Sequence, residues 1–230
     1  MGASVIIAAA GSAQRMKGKD KLLCKICGKE VLSYSILAFA NAKCTDKIVV
    51  VTAKERIDTV KELINSLKLS LPAVVVEGGS ERQASVMRGL EYCDENSNCV
   101  MIHDAARPMI ESDKIELLYH KIVNENLKAA AVGVAVKDTI KIIDEGGRVV
   151  STPPRKSLFA VQTPQGFEMS LYRAAAQKAI ADNKSYTDDC QLVEAMNMPV
   201  YMIEGSYENI KITTPEDLKV AENFLKERQK

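Results

Sequence analysis

With 230 residues, 47% of them apolar and 27% charged, the chain has the composition of a globular protein with one sizeable core, which excludes a disordered or fibrous class. Its 31 lysines and arginines nearly balance 30 aspartates and glutamates, so no nucleic-acid partner is expected and any anion site has to be local. No apolar run approaches the roughly 20 residues of a membrane span, and Ser4-Val5-Ile6-Ile7-Ala8 is too short for a signal peptide, so no membrane partner is expected.

In chain order, Val5–Ala8, Ile48–Val51, Ala73–Val76, Cys99–Ile102 and Ala130–Val136 are continuous apolar runs, as expected of strands buried on both faces. Between them Ile57, Val60, Leu63, Ile64 and Leu67 carry a helical 3,4 spacing, as do Ile115, Leu118 and Ile122 and the stretch from Val86 to Tyr92. Alternation of strand and helix predicts a parallel α/β sheet covered by helices on both faces, with ligands at the carboxyl ends of its strands. After Val136 the pattern changes. Ile140–Ile143, a turn at Asp144-Glu145-Gly146-Gly147 and Arg148–Val150 predict a β-hairpin, within an arm at about 137–157 that Thr152-Pro153-Pro154 closes. A two-stranded ribbon is marginal alone, so the arm is expected to project and pack on another surface, such as a second subunit. The chain resumes with a strand-like run at Leu158–Gln162, helices near Glu168–Ala181 and from Asp188, the run Val200–Ile203, and a last helix announced by Thr214-Pro215-Glu216-Asp217. One domain over 1–230 is the organisation this predicts, with no linker or repeat.

The cysteines Cys24, Cys27, Cys44, Cys93, Cys99 and Cys190 are scattered, which fits a reducing cytoplasm better than a disulfide framework. The CxxC of Cys24 and Cys27 has no second pair, and His103 and His120 are the only histidines, so ordinary thiols are expected there rather than zinc ligands.

Three strand ends carry unusual chemistry. The first run leads into Ala8-Ala9-Ala10-Gly11-Ser12-Ala13-Gln14-Arg15-Met16, whose small side chains let backbone N–H groups approach a polyanion, with Arg15, Lys17, Lys19 and Lys21 adding charge. Taken alone this loop reads equally as a plain strand-to-helix turn. A dinucleotide fingerprint would need glycine at Ala13 and Met16. The third run leads into Gly78-Gly79-Ser80-Glu81-Arg82, where two glycines permit unusual backbone angles and close ligand approach, and Ser80 is placed to cap the next helix. The fourth leads into His103-Asp104-Ala105-Ala106-Arg107-Pro108. There Asp104 suits a metal or hydroxyl contact, Arg107 suits phosphate, and His103 is expected to be structural.

In order, Ala8-Ala9-Ala10-Gly11 with Arg15, Met16 and Lys21, then Gly78-Gly79 with Arg82, His103 to Pro108, Gln162-Thr163-Pro164-Gln165 and Asn209-Ile210-Lys211 resemble the 2-C-methyl-D-erythritol 4-phosphate cytidylyltransferases of the non-mevalonate isoprenoid pathway. The resemblance spans Val5 to about Phe224. It implies a Rossmann-like α/β fold with a mostly parallel sheet and a protruding β-arm, and a Mg²⁺-dependent transfer of CMP from CTP to 2-C-methyl-D-erythritol 4-phosphate, with release of pyrophosphate, by a homodimer whose arms embrace. It further implies that Arg15, Lys21, Arg155 and Lys211 are catalytic, the first two at the α-phosphorus and the last two on the incoming phosphate. Ala9, Ala10, Gly11, Ser12, Ala13, Gln14, Gly79, Ser80, Arg82, Ser85, Asp104 and Ala105 would surround CTP together with Arg15 and Lys21. Asp104, Arg107, Thr139, Arg155, Thr163 and Lys211 would surround the second substrate, with Thr139 and Arg155 from the partner's arm. Asp104 is the one candidate for a direct metal contact. Two positions depart from the family pattern: Ala13 replaces a glycine, and Ser80 a frequent aspartate. The nearest rival by resemblance is a ribitol-5-phosphate cytidylyltransferase. A rival of another class is a nucleotide-binding regulator without catalysis.

Overall fold

The structure, a computed structural model, describes residues 2–11 and 20–228. Among these residues the chain forms β1 (Ala3–Ala9), a short ribbon of β2 (Lys25–Ile26) and β3 (Lys29–Glu30), α1 (Val31–Asn41), β4 (Thr45–Thr52), α2 (Ile57–Leu67), β5 (Ala73–Glu77), α3 (Arg82–Glu91) and β6 (Cys99–Asp104). It continues through α4 (Ser112–Val123), β7 (Ala129–Ala135), the ribbon β8 (Ile142–Ile143) and β9 (Val149–Ser151), β10 (Phe159–Glu168), α5 (Met169–Ala181), α6 (Asp189–Glu194), β11 (Tyr201–Glu204) and α7 (Pro215–Arg228).

The main sheet has seven strands in the order β11-β7-β10-β6-β1-β4-β5. The apolar strand runs are continuous because successive side chains point to opposite faces and both faces are covered. In β1, Val5 and Ile7 join a core with α1, α2, α4 and α7, while Ile6 joins the core beneath α3, α5 and α6. Helix α2 turns Val60 and Ile64 inward, and α4 turns in Ile115, Leu118 and Ile122, as their spacing predicts. At the last helix the acid of the first turn does the capping: the Asp217 carboxylate accepts from the N–H groups of Thr213 at 2.7 Å and Thr214 at 2.9 Å.

Two expectations are corrected. The run expected at Leu158–Gln162 begins one residue later, at Phe159, and opens a ten-residue strand, β10, which runs antiparallel between β6 and β7. Ser80 does not cap α3: Glu81 occupies that position without a side-chain cap bond, and the Ser85 hydroxyl works on this turn instead. The predicted hairpin forms as β8 and β9, with Gly147 at φ +80° and the Asp144 carboxylate accepting from the N–H groups of Gly146 and Arg148. Both strands of this arm are exposed, Ile143 by 58% and Val150 by 62%.

Candidate active site

At the carboxyl ends of β1, β5 and β6 the chain encloses a cleft of about 390 Å³. Its lining brings together expected residues from five separate segments: Ala9, Ala10 and Gly11; Lys21; Gly79, Ser80, Arg82 and Ser85; Asp104; and Lys211. Ala8, Leu22, Glu81 and Ala106 complete it. Such convergence at strand ends follows from a parallel sheet, since every parallel strand delivers its following loop to the same edge.

The glycines after β5 matter for space rather than for unusual angles, as neither has a positive φ. A Cβ on Gly78 would lie 2.6 Å from the Ala10 Cβ and 2.8 Å from the Ser85 Oγ, and one on Gly79 would lie 2.6 Å from the Ala84 Cβ. Only glycine lets this turn close against β1 and α3. The Ser85 hydroxyl donates to the Glu81 carbonyl at 2.9 Å and accepts from the Gly79 N–H at 3.0 Å, which fixes the turn.

Asp104 stands at the centre of the charge. Its carboxylate lies 2.8 Å from Lys211 Nζ, 3.5 Å from Arg107 Nε and 3.7 Å from Arg82 Nε. Burial pushes the carboxyl upward, but Lys211, Arg82 and Arg107 outweigh it and hold the group down at about 2. Arg82 is in turn anchored from below. It lies 2.7 Å from the buried Asp189, whose other oxygen accepts from the Tyr172 hydroxyl at 2.6 Å. Burial works against the Arg82 charge, yet Asp189 and Asp104 together keep its pKa above the ordinary value.

The loop after β6 is set by His103, which is fully buried. Its Nε2 faces the Arg107 carbonyl at 3.1 Å, and a carbonyl can only accept, so Nε2 carries the proton. Nδ1 of the neutral ring then accepts from the Thr163 hydroxyl at 3.0 Å, and Thr163 Oγ1 accepts the Asp104 N–H at 3.0 Å. Burial, ahead of the opposing pull of Asp104, lowers the His103 pKa to about 4. The expected structural role of His103 is therefore what the geometry provides.

Lys211 reaches the cleft because the segment around it is stitched to the β6 loop. The Ile212 N–H donates to the Ala106 carbonyl at 2.8 Å, Arg107 donates to the Asn209 carbonyl at 2.8 Å, and the Asn209 side-chain amide donates to the Thr163 carbonyl at 3.0 Å. Lys21 closes the same ring by donating from Nζ to the Ile212 carbonyl at 2.9 Å. Two cations far apart in sequence thus share one wall.

Several expected residues stand elsewhere. Ala105 and Thr163 are buried behind the lining, and Arg107 pairs with Asp104 from the side. Thr139 and Arg155 lie exposed on the arm, where Arg155 donates to the Lys137 carbonyl at 2.7 Å; neither lines the cleft of its own chain. Ser12, Ala13, Gln14 and Arg15 lie outside the described residues. Sequence reasoning missed Asp189 and Tyr172 beneath Arg82. Their signal, an acid in a short helix and a tyrosine in a long one, acquires meaning only when β10, α5 and α6 pack together.

Among the described residues no group of three or more His, Cys, Asp or Glu is placed to hold a metal ion. The Asp104 oxygens are already surrounded by three cations. This donor set fits a magnesium ion carried on nucleotide phosphates and water with at most one protein carboxylate, the usual habit of that ion, and not an all-protein cage. The six cysteines are free, so Cys24 and Cys27 form no disulfide.

The family model described as 2-C-methyl-D-erythritol 4-phosphate cytidylyltransferase matches residues 3–227. A protein of that name from Caldanaerobacter subterraneus is 45% identical over 229 residues, covering 98% of this chain and 100% of its own length. One from Clostridium botulinum is 42% identical over 225 residues, 96% of each chain. Among solved structures, 4-diphosphocytidyl-2C-methyl-D-erythritol synthase from Anaerococcus prevotii superposes with a TM-score of 0.84 at 34% identity, covering 98% of both chains. The cytidylyltransferase from Thermus thermophilus gives a TM-score of 0.75 at 31% identity, over 98% of this chain and 100% of that one. A family match over nearly the whole length, together with a cleft built from the same motifs that carry the resemblance, leads to one conclusion: this chain belongs to the 2-C-methyl-D-erythritol 4-phosphate cytidylyltransferase family.

Proposed function

We propose that the protein transfers CMP from CTP to 2-C-methyl-D-erythritol 4-phosphate, giving 4-diphosphocytidyl-2-C-methyl-D-erythritol and pyrophosphate. The observation that carries this reading is a single cleft in which Arg82 and Lys211 converge on the buried Asp104 and Lys21 lines the same wall, in a chain that matches the family from residue 3 to 227. The relatives named above carry the methylerythritol name, which favours that acceptor over ribitol 5-phosphate.

A phosphate monoester has a second pKa near 6 and is mostly a dianion at pH 7, so the nucleophile needs no general base. One of its oxygens attacks the α-phosphorus, the bond from that phosphorus to the bridging oxygen breaks, and pyrophosphate leaves with the electron pair. The work left to the protein is to align two anions and offset their charge. Lys21 and Arg15 take the charge developing at the α-phosphorus. Lys211 takes the incoming phosphate, with Arg155 and Thr139 arriving from the partner's arm. Asp104 pairs with both Lys211 and Arg82 and offsets the repulsion between them. Gly11, Gly79 and Ser80 offer backbone contacts to the nucleotide. Magnesium, when bound with the nucleotide, neutralises triphosphate charge and polarises phosphoryl oxygens.

The homodimer is part of the proposal. Ile142, Ile143, Val149 and Val150 leave an apolar ribbon half-exposed, and a two-stranded ribbon is stable only when packed on something. A cytoplasmic location accords with six free thiols, and no helix among the described residues is long and apolar enough to cross a membrane. The test is to offer the purified protein CTP, UTP or ATP with methylerythritol phosphate or ribitol phosphate and to measure pyrophosphate release. Turnover is expected with CTP and methylerythritol phosphate. Strong turnover with ribitol phosphate alone would overturn the acceptor, and none with CTP would overturn the class.

A further inference from the structure

Arg56 lies in a single 3₁₀ turn, Lys54–Arg56, that follows β4, and neither it nor its motif was singled out by sequence. It does not line the cleft. Its side chain is nevertheless mostly buried and spends its donors on residues that flank the segment with the expected triphosphate contacts. Nη2 donates to the carbonyl of Ala10 at 3.3 Å and to that of Gly11 at 3.2 Å. Nη1 donates to the Asp20 carboxylate at 3.2 Å. Ala10 and Gly11 stand immediately before residues 12–19, and Asp20 immediately after them.

We propose that Arg56 is a positioning residue for nucleotide binding, acting through Ala10, Gly11 and Asp20 rather than by touching the nucleotide. The proposal rests on the CTP reading given above. Two physical consequences support it. First, a trans peptide directs its N–H opposite to its C=O. With the Ala10 carbonyl held on Arg56, the Gly11 N–H points away from Arg56, and Ala10 and Gly11 both line the cleft. A cation on the carbonyl also polarises that peptide and strengthens its N–H as a donor to an anion. Second, Asp20 is the start of the turn that presents Lys21. Its other carboxylate oxygen accepts the Leu22 N–H at 3.0 Å, and its carbonyl accepts the N–H groups of Leu23 at 3.2 Å and Cys24 at 3.1 Å. Holding Asp20 therefore sets where Lys21 begins its reach toward Ile212 and the cleft. One guanidinium thereby ties a backbone donor of the cleft to its lysine. The planar fork of arginine can serve three acceptors in one plane, whereas the point charge of lysine cannot hold them in the same geometry.

The experiment measures CTP affinity by calorimetry and steady-state constants for both substrates in wild type, Arg56→Ala, Arg56→Lys and Asp20→Asn, with melting temperatures alongside. Arg56→Ala is expected to weaken CTP binding by about 10-fold or more, and its Michaelis constant for the sugar-alcohol phosphate to stay within about 2-fold of wild type. Arg56→Lys, which retains charge but not the fork, is expected to recover only part of the affinity. Asp20→Asn is expected to lose less than Arg56→Ala, because the two carbonyl contacts remain. If Arg56→Ala does not fold, the lysine and asparagine variants carry the test. CTP affinity within 2-fold of wild type in the folded Arg56 variants, or an equal loss for both substrates, would overturn the positioning role. Failure of the wild-type protein to bind CTP would instead overturn the functional reading beneath it.

Discussion

His103 allows a prediction whose size follows from the structure. The ring is fully buried and neutral, donating to the Arg107 carbonyl and accepting from Thr163. Burial lowers its pKa from 6.5 to about 4, so between these values the unfolded chain binds a proton that the folded protein does not. Folding stability from this group is therefore complete above pH 6.5, falls as pH drops, and is exhausted below about 4; the whole span corresponds to roughly 3 kcal/mol. His103→Gln removes the titration. It can keep a donor for the Arg107 carbonyl but leaves Thr163 without its acceptor, at a cost of about 1–3 kcal/mol at pH 7. Urea unfolding of both proteins at pH 7, 6, 5 and 4.5 is the assay. The variant should start less stable, decline more gently, and approach the wild-type curve near pH 4. Every carboxylate and the exposed His120 are common to both proteins, so their contributions cancel in the difference. Parallel curves across this range would refute the assignment of a buried neutral imidazole.

Lys21→Ala and Lys211→Ala should each reduce turnover by about 100-fold or more, the scale of one lost electrostatic stabiliser. Lys21 is partly exposed and the melting temperature of its variant should move little, whereas Lys211→Ala also strips the buried Asp104 of its nearest counter-charge and should melt lower; near-normal turnover in either would remove that lysine from the catalytic group. The resemblance assigns the same outcome to Arg15→Ala. Arg155→Ala should raise the Michaelis constant for the sugar-alcohol phosphate and leave that for CTP unchanged. If Arg155 serves the partner's site, mixing Arg155→Ala subunits with Lys211→Ala subunits should restore about a quarter of wild-type activity when the sugar-alcohol phosphate is kept far below the raised Michaelis constant, where neither parent turns over, since half the dimers then hold one intact site. No recovery in dimers shown to have exchanged would place both residues in one chain's site. Ile143→Asp with Val150→Asp should yield a monomer by sedimentation, because both side chains lie in the exposed ribbon. A chelator should abolish turnover and added magnesium restore it, and metal-independent pyrophosphate release would exclude the ion from the reaction.

Much of the fold was legible because its signals are local. Strands β1, β4, β5, β6 and β7 were readable as apolar runs since a doubly covered sheet demands apolar side chains in both directions. Helices α2 and α4 were readable because one face of each is wet. Helix α1 carries no such contrast: Val31, Leu32, Ile36 and Phe39 are buried along with Ser33 and Ser35, so its period is blurred. The reversed direction of β10 left no local mark, because strand polarity is decided by the neighbours a strand finds and not by its own composition.

The active site divides along the same line. By itself the sequence indicated the class of chemistry only through the resemblance that Ala8–Gly11, His103–Pro108 and Asn209–Lys211 carry together, since each of these continuous motifs alone admits a plain structural reading. Only the tertiary structure decided how those residues meet. It gathered Lys211, Arg82 and Arg107 around Asp104, turned the Thr163 hydroxyl inward to His103, set Asp189 beneath Arg82, and placed Arg56 against the Gly11 carbonyl and the Asp20 carboxylate. The reason is distance along the chain. Asp104 and Lys211 meet at 2.8 Å only after the sheet has brought their two loops to one edge, and no spacing rule within either segment encodes that meeting.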